Sequence, residues 1–97
     1  MSTKPGEYNL TEFCAITRLD VTTVHEMIVQ GVVEPGRQDE AWYFESADIS
    51  RCIKAYRLSH ELGLDLHGAA LALELMDRNA RLKRRIAYLE HLLDRMT

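Results

Sequence analysis

The sequence predicts an all-α chain that carries one small β-hairpin and ends in a coiled-coil helix. Three observations lead to this fold class. Apolar residues recur at helical spacing in two short segments before residue 31, β-prone residues flank a Pro-Gly pair near residue 35, and a heptad repeat occupies the C-terminal quarter. With 97 residues, of which 46% are hydrophobic, the chain can form one domain with a single core.

The first two helices are short and consecutive. We expect the first over residues 11–17, with Thr11 as its N-cap. We expect the second over residues 21–30, because an acidic cap at Asp20 precedes apolar residues in steps of three and four. Gly31 can adopt the left-handed conformation that ends a helix, so the second helix should stop there.

A hairpin is expected after the second helix. Residues 32–34 and 41–44 are β-prone and should form its two strands, with the polar residues 36–40 as its tip. Because side chains alternate along a strand, Trp42 should face the core and Tyr43 should face away from it.

Two further helices follow the hairpin. The third is expected from Ser46 to about Leu62, where Gly63 ends it, and Asp65 caps the fourth. The inward residues are expected to be Ile49, Cys52, Ile53, Tyr56 and His60 on the third helix, and Ala69, Ala70, Leu73 and Met76 on the fourth.

The C-terminal segment, residues 75–97, carries the sharpest periodicity in the chain. Seven positions alternate steps of four and three and are apolar at six of them: Leu75, Asn79, Leu82, Ile86, Leu89, Leu93 and Met96. A lone helix of this length would be marginal in water and would leave its apolar seam exposed. We therefore predict that these residues form a homodimerisation helix, with packing along the chain's own domain as the alternative.

The charges beside the seam bear on the orientation of the two helices. Arg85 lies five residues before Glu90, which suits a parallel pair. A family resemblance described below instead implies an antiparallel pair, in which Lys83 of one helix can face Glu90 of the other, and we favour this arrangement.

Charge and composition exclude several classes of protein. The net charge is −3 and the pI is about 5.8, so the chain lacks a basic excess for anionic membranes or phosphates. No apolar run is long enough to span a membrane, and residues 1–5 are polar, so we expect a cytoplasmic protein without a signal peptide.

Residues 1–7 are expected to be flexible. Cys14 and Cys52 are expected to be buried, reduced thiols.

The order of these elements resembles that of the MerR-type winged-helix regulators. Within it, Asp20 to Pro35, DVTTVHEMIVQGVVEP, resembles the family's recognition helix and the entry to its wing. The resemblance implies a MerR-like winged helix-turn-helix domain over residues 8–74.

Shorter segments resemble the CbpM family of chaperone modulators. They are TEFC at 11–14, GVVEP at 31–35, WYF at 42–44, RLSHELGLD at 57–65 and ALELMD at 72–77. The resemblance implies binding to the J-domain of a DnaJ-like co-chaperone (CbpA) in a bacterial cytoplasm, with inhibition of its co-chaperone and DNA-binding activities. It also leaves open an association with the nucleoid through that partner.

Local charge argues against direct DNA binding, the alternative that the MerR resemblance raises. Between residues 19 and 48 the chain has seven carboxylates and a single cation, Arg37. Where MerR-type regulators place Arg-Tyr-Tyr, this chain has His-Glu-Met at 25–27, without the cations that neutralise phosphates. Arg51, Lys54 and Arg57 form a basic stripe on the third helix, which we interpret as a solvated face.

The same acidic surface suits a basic protein partner. J-domains present a basic helix to the DnaK chaperone, so competition for that helix would inhibit the co-chaperone by occlusion. We expect Tyr43 to provide an aromatic anchor among the carboxylates. The predicted partner-binding residues are His25, Glu26, Val29, Glu34, Asp39, Glu40 and Tyr43.

The sequence contains no catalytic or metal-binding motif. His25-Glu26 and His60-Glu61 each lack the second histidine of an HExxH zinc motif, because positions 29 and 64 are Val and Leu. No glycine-rich phosphate loop and no nucleophile motif occur. We therefore predict no enzyme activity, no cofactor and no metal.

Overall fold

The computed structural model of the protein describes residues 4–97, which form four helices and a three-stranded antiparallel sheet of order β1-β3-β2. The predicted fold class, helical with a small wing and a long C-terminal helix, is confirmed. The elements in chain order are β1 (Glu7–Tyr8), α1 (Leu10–Thr17), α2 (Val21–Val29), β2 (Gly36–Gln38), β3 (Ala41–Glu45), α3 (Ser46–Leu62) and α4 (Leu66–Met96).

One hydrophobic core joins α1, α2, β3, α3 and the first turns of α4. At its centre the rings of Phe13 and Phe44 stack with their centroids 4.0 Å apart and their planes 14° apart. Burying each phenyl ring contributes roughly 1.5–3 kcal/mol to folding. The other buried apolar residues are Leu19, Val24, Met27, Val32, Val33, Cys52, Ala55, Ala69 and Leu73.

The cap of α1 differs from the prediction. Asn9, rather than Thr11, is the N-cap: its Oδ1 accepts a hydrogen bond from the backbone N–H of Glu12, and the Glu12 carboxylate accepts one from the N–H of Asn9, both at 2.8 Å. This reciprocal capping box requires a cap residue three positions before the glutamate. Thr11 therefore lies inside the first turn of α1.

Helix α2 begins where predicted and ends one residue earlier than predicted. Asp20 Oδ1 accepts a hydrogen bond of 2.7 Å from the backbone N–H of Thr23, and the last helical residue is Val29. Gly31 follows with φ +81°, the left-handed conformation expected at a helix end. The backbone N–H of Val32 then bonds back to the carbonyl of Met27 at 2.8 Å, which turns the chain toward the wing.

The wing is shorter than predicted, and its first strand is displaced. Residues 32–34 are not a strand: Val32 and Val33 are 0% and 3% exposed and fill the core beneath α2. The first strand is instead β2, inside the segment expected to be the hairpin tip. Asp39 and Glu40 alone form the tip, with φ +51° and +64°, because a two-residue turn with two positive φ angles matches the twist of paired strands.

A third strand was not predicted. Residues Glu7 and Tyr8 form β1, which pairs with β3 so that Glu7 lies opposite Glu45 and Tyr8 lies opposite Phe44. Ordered structure thus begins inside the segment 1–7 that we expected to be flexible, while residues 1–3 lie outside the described part of the chain. A strand of two residues leaves no alternating pattern long enough to detect in a sequence.

Helix α3 begins at Ser46 as predicted and ends at Gly63, which has φ +68°. The boundary after the next helix is wrong: the fourth helix and the C-terminal helix form one continuous helix, α4, of 31 residues without a break near residue 75. Asp65 caps it by accepting a hydrogen bond of 2.7 Å from the N–H of Gly68. The apolar residues of α4 lie on one face in its first turns and on the opposite face beyond residue 75. For this reason the sequence pattern indicated two helices where the structure has one.

Three residues predicted to face inward are exposed. Met76 is 51% exposed, whereas the buried residues of α4 are Ala69 and Leu73. Tyr56 and His60 instead pack on each other at the surface of α3, with ring centroids 4.0 Å apart.

The predicted seam of α4 lies on the face opposite its contact with α3. At about 100° per residue, the seam positions lie roughly 120–180° around the helix from Leu73. All seven seam residues are exposed, and the six apolar ones have exposures of 48% to 82%. The protein's own domain therefore does not cover this seam within residues 4–97.

Candidate protein-binding surface

The outward face of α2 carries three of the predicted partner-binding residues. Val24 and Met27 are fully buried on the inner face, which turns His25, Glu26 and Val29 outward, and all three are exposed. Val29 is 75% exposed, so it places an aliphatic side chain among the polar residues of this face. The outward face is thus a mixed acidic and apolar surface.

Trp42 joins this helix to the wing. Its ring lies 4.9 Å from the ring of His25, centroid to centroid, with the planes tilted by 59°. Trp42 also packs against the core, as its position in β3 predicts, but it remains half-buried. The indole therefore presents an edge beside the outward face of α2.

A shallow groove of about 460 Å³ runs along the same side, between the end of α2 and the wing. Its floor is apolar and its rim includes the exposed carboxylate of Glu34. The groove could accept an aliphatic or aromatic side chain while the carboxylate faces a neighbouring cation. It is lined by Ile28, Gly31, Val33, Glu34, Pro35 and Trp42.

Tyr43 is separated from this group. It follows Trp42 in β3, so its side chain points to the opposite face of the sheet, away from His25. Its ring lies directly over Gly36, its partner in the β2–β3 ladder, where any added Cβ would collide with the ring. The predicted residues thus form a group on the α2 side and an isolated Tyr43.

Asp39 and Glu40 occupy the exposed tip of the wing, at the far end of the hairpin from Glu34. The Arg37 guanidinium donates a hydrogen bond of 3.4 Å to the backbone carbonyl of Glu40, so it secures the turn. In the part of the chain that the structure describes, none of the carboxylates of Glu26, Glu34, Asp39 and Glu40 is in an ion pair. They remain available to an external cation.

Arg51 on α3 has a structural role that the sequence did not reveal. Its Nε donates a hydrogen bond of 2.6 Å to the carbonyl of Val32, and one of its terminal nitrogens lies 2.7 Å from the carboxylate of Asp77. Arg51 thereby ties α3 to α4 and to the segment that leads into the wing. A guanidinium engaged in this way is a poor candidate for a phosphate contact.

The two cysteines are free thiols. Cys52 is fully buried, and burial raises its pKa to about 12, so it carries no thiolate at neutral pH. Cys14 is only partly buried, unlike the prediction, and this partial burial also raises the pKa of its thiol. Residues 4–97 contain no cluster of three side chains suited to a metal ion and no helix able to cross a membrane.

Comparison with known proteins gives the family. A model of the MerR HTH family regulatory proteins matches residues 8–96. The chaperone modulatory protein CbpM of Escherichia coli O1:K1 is 39% identical over 89 residues, which cover 91% of this chain and 88% of that protein. The chain belongs to the CbpM family. A CbpM relative from Salmonella arizonae is also 39% identical, over 78% of this chain and 76% of its own length.

The family match covers the surface described above, and the names of the relatives indicate the class of protein. The matched region includes α2, the wing and nearly all of α4, so the outward face and the exposed seam both lie within it. The CbpM relatives are named as chaperone modulators and the family model as regulatory proteins, and neither name is that of an enzyme.

Proposed function

We propose that the protein is a chaperone modulator that binds the J-domain of a DnaJ-like co-chaperone (CbpA) in a bacterial cytoplasm and inhibits its co-chaperone and DNA-binding activities. The observation that carries the proposal is the combination of CbpM-family membership with an acidic, partly apolar face that contains no ion pair among the described residues. Such a face is complementary to the basic helix of a J-domain.

The binding mode follows from the chemistry of the face. Carboxylates steer a basic helix toward α2 and the wing and set the salt dependence, while an apolar side chain of the partner enters the groove beside Trp42. In this proposal Trp42 takes the anchoring role that the sequence suggested for Tyr43, because Trp42 adjoins His25 and Tyr43 faces away. Occupation of the basic helix would block DnaK without any distortion of the J-domain.

We further propose that α4 forms a homodimer through its exposed seam. In an antiparallel pair centred between Ile86 and Leu89, each Lys83 faces Glu90 of the other copy, which gives two attractive pairs. A parallel pair would place Arg78 of one copy near Lys83 of the other, a repulsive contact that offsets the attraction between Arg85 and Glu90. The antiparallel arrangement is therefore favoured.

The alternative, a DNA-reading regulator, has less support. The outward face of α2 carries Glu26 where phosphate contacts would require cations, and Arg51 is held by Asp77 and the carbonyl of Val32. A duplex approaching this side would meet the carboxylates at the wing tip.

The test is a J-domain titration with a triple charge-reversed variant, Glu26→Lys, Asp39→Lys and Glu40→Lys. Reversal replaces attraction by repulsion, so we expect affinity to fall by about tenfold or more at low salt, with loss of the salt dependence. Calorimetry gives the affinity, and co-chaperone-stimulated DnaK ATPase gives the functional readout. Gel shifts with duplex DNA, run at the same salt, test the alternative.

The matched control reverses three exposed carboxylates elsewhere, Glu61→Lys, Glu74→Lys and Asp94→Lys, which changes the net charge equally. This control should bind the J-domain within about twofold of the unmodified protein if the site is local. Equal weakening by both variants would mean that only overall charge matters. Undiminished binding by the first variant would exclude the α2–wing face as the site.

A further inference from the structure

The C-terminal half of α4 carries a surface distinct from both the acidic face and the apolar seam. We call it the arginine stripe. At about 100° per residue its members fall within an arc of roughly 120° that adjoins one edge of the seam, and the helical rise spreads them over about 26 Å. The stripe consists of Arg78, Arg81, Arg84, Arg85, Tyr88 and Arg95.

Carboxylates are excluded from this arc beyond residue 77. Glu90 and Asp94 lie on the other side of the helix, together with Lys83. At the near end, Asp77 is already held by Arg51, and Glu74 forms an ion pair of 3.4 Å with Arg78. Among the described residues, the other four arginines have no ion-pair partner, and every member of the stripe is exposed.

The stripe borders the proposed dimer contact along one edge only. Its arginines lie beside the seam or farther around the helix, and the Lys83–Glu90 pairs would form at the seam's opposite edge. In an antiparallel pair, the stripes of both copies would lie on the same side of the coiled coil. Dimerisation would therefore join two stripes into one wider basic face, while a single copy retains one complete stripe.

Several features favour phosphodiester groups as the ligand of this surface. Guanidinium groups form bidentate hydrogen bonds with phosphate oxygens, whereas the one lysine of this region lies off the stripe. An exposed aromatic ring amid the arginines, Tyr88 at 61% exposure, provides a surface on which a base can stack. Binding to a membrane surface would instead require several apolar residues along the same arc. Leu92 is the main apolar residue there, which does not favour a membrane.

We propose that the arginine stripe of α4 binds the phosphodiester backbone of nucleic acids without sequence preference. This activity lies on a different element from the acidic face of α2 and the wing, and it does not depend on J-domain binding. Because the rest of the chain is acidic, binding is weak and salt-sensitive, in the range of about 10⁻⁴–10⁻⁶ M that is typical of non-specific contacts.

The experiment measures fluorescence anisotropy of a labelled single strand and a labelled duplex, each of about 20 nucleotides, with the full-length chain over a range of salt concentrations. The variant is Arg81→Gln, Arg84→Gln and Arg85→Gln, which keeps good helix formers at each position. We expect affinity to fall at least tenfold at low salt, and the log–log salt slope for duplex to decrease by about 2 to 3, since each phosphate contact contributes about 0.9.

A matched control removes three cations outside the stripe through Arg37→Gln, Lys54→Gln and Arg57→Gln. Equal loss of binding in this control, or no binding by the unmodified chain at low salt, would overturn the proposal. So would tighter binding to vesicles of anionic phospholipid that nucleic acid does not displace. Unchanged J-domain affinity in the Arg→Gln variant supports two separate surfaces and keeps this test independent of the proposed function.

Tyr88 distinguishes the two kinds of nucleic acid. Tyr88→Leu should weaken single-strand binding about fivefold and leave duplex binding nearly unchanged, because only unpaired bases can stack on the ring. Tyr88→Phe should restore single-strand affinity. Equal effects of the leucine variant on both ligands would show that the ring does not stack, and binding would then rest on the arginines alone.

Discussion

At the scale of single residues, hydrogen bonds at helix ends determine where the helices begin. Asp20 is exposed, yet its carboxylate is fixed by Thr23 at the start of α2, the helix that carries the proposed partner face. Hydrogen bonds from the Thr23 side chain and backbone lower the pKa of Asp20 below its usual value of 3.8. The same cap therefore makes the start of α2 less stable in acid.

The Asp20 cap predicts a specific loss of stability in acid. Since the carboxylate has a lower pKa in the folded chain than in the unfolded chain, its contribution is complete well above pH 3.8 and is lost as pH falls through the folded-state pKa. Asp20→Asn keeps a capping oxygen that does not titrate. Urea unfolding from pH 7 to pH 3 should show the advantage of the unmodified chain shrinking in acid. A difference that is independent of pH would contradict this.

Trp42 gives the second residue-scale prediction. Trp42→Ala should weaken J-domain binding by about 30-fold, the loss typical of a buried aromatic anchor, and Trp42→Phe should retain most of the affinity. Because Trp42 is the chain's single tryptophan, its fluorescence in complex with a tryptophan-free J-domain reports burial directly. Tyr43→Ala is the control on the other face of the sheet. A larger loss of affinity in Tyr43→Ala than in Trp42→Ala would show that Tyr43 is the anchor, as first expected from the sequence.

At the scale of elements, the wing shows how local sequence and tertiary packing compete. Val32 and Val33 have high strand propensity, but burial in the core removes more of their apolar surface from water than an edge position in a hairpin would. The strand therefore starts only at Gly36, where the absence of a Cβ makes room for Tyr43. The consequence is a short, tight wing with two carboxylates at its tip.

The turn of the wing gives an element-scale prediction. Asp39 and Glu40 both adopt positive φ angles, which cost non-glycine residues about 1 kcal/mol each. Asp39→Asn with Glu40→Gly supplies the residues preferred in such a turn and should raise the free energy of unfolding by about 1 kcal/mol in urea titrations. The same variant should bind the J-domain more weakly, because two carboxylates are lost. Stability and affinity moving in the same direction would contradict the proposed role of the tip.

At the scale of the whole molecule, the chain is a small domain with a protruding helix, 57 × 35 × 19 Å in extent. Helix α4 packs on α3 through its first turns, and the rest of it extends beyond the domain. Burial of its exposed seam, at about 2 kcal/mol for each large apolar side chain, would contribute a large favourable free energy to association. The C-terminal half of α4 thus carries the apolar seam and the arginine stripe side by side.

Disruption of the seam should convert a dimer into a monomer. In Leu82→Asp with Leu89→Asp, charges replace apolar residues at the centre of the proposed contact, so sedimentation should give half the mass of the unmodified protein. Ala87→Asp with His91→Asp places the same charges on α4 off the seam and should leave the mass unchanged. A mass that stays the same in the seam variant would refute dimerisation through these residues.

The sequence by itself determined features that rest on near neighbours along the chain. The Asp20 and Asp65 caps, the glycine stops at residues 31 and 63 and the heptad seam follow from hydrogen bonds and periodicities within a few residues. The excess of carboxylates over residues 19–48 was equally evident. The family resemblance was also contained in these local segments, and the comparisons confirm it.

Only the tertiary structure decided how distant segments meet. The pairing of β1 with β3, the contact of Trp42 with His25 and the link from Arg51 to Asp77 join residues 17 to 38 positions apart, and no local rule specifies them. They arise because the core satisfies packing and hydrogen bonding globally, and the outcome depends on which segments compete for the same buried space. The proposed anchor therefore moved from Tyr43 to Trp42, while the acidic character of the face stayed as the sequence had indicated.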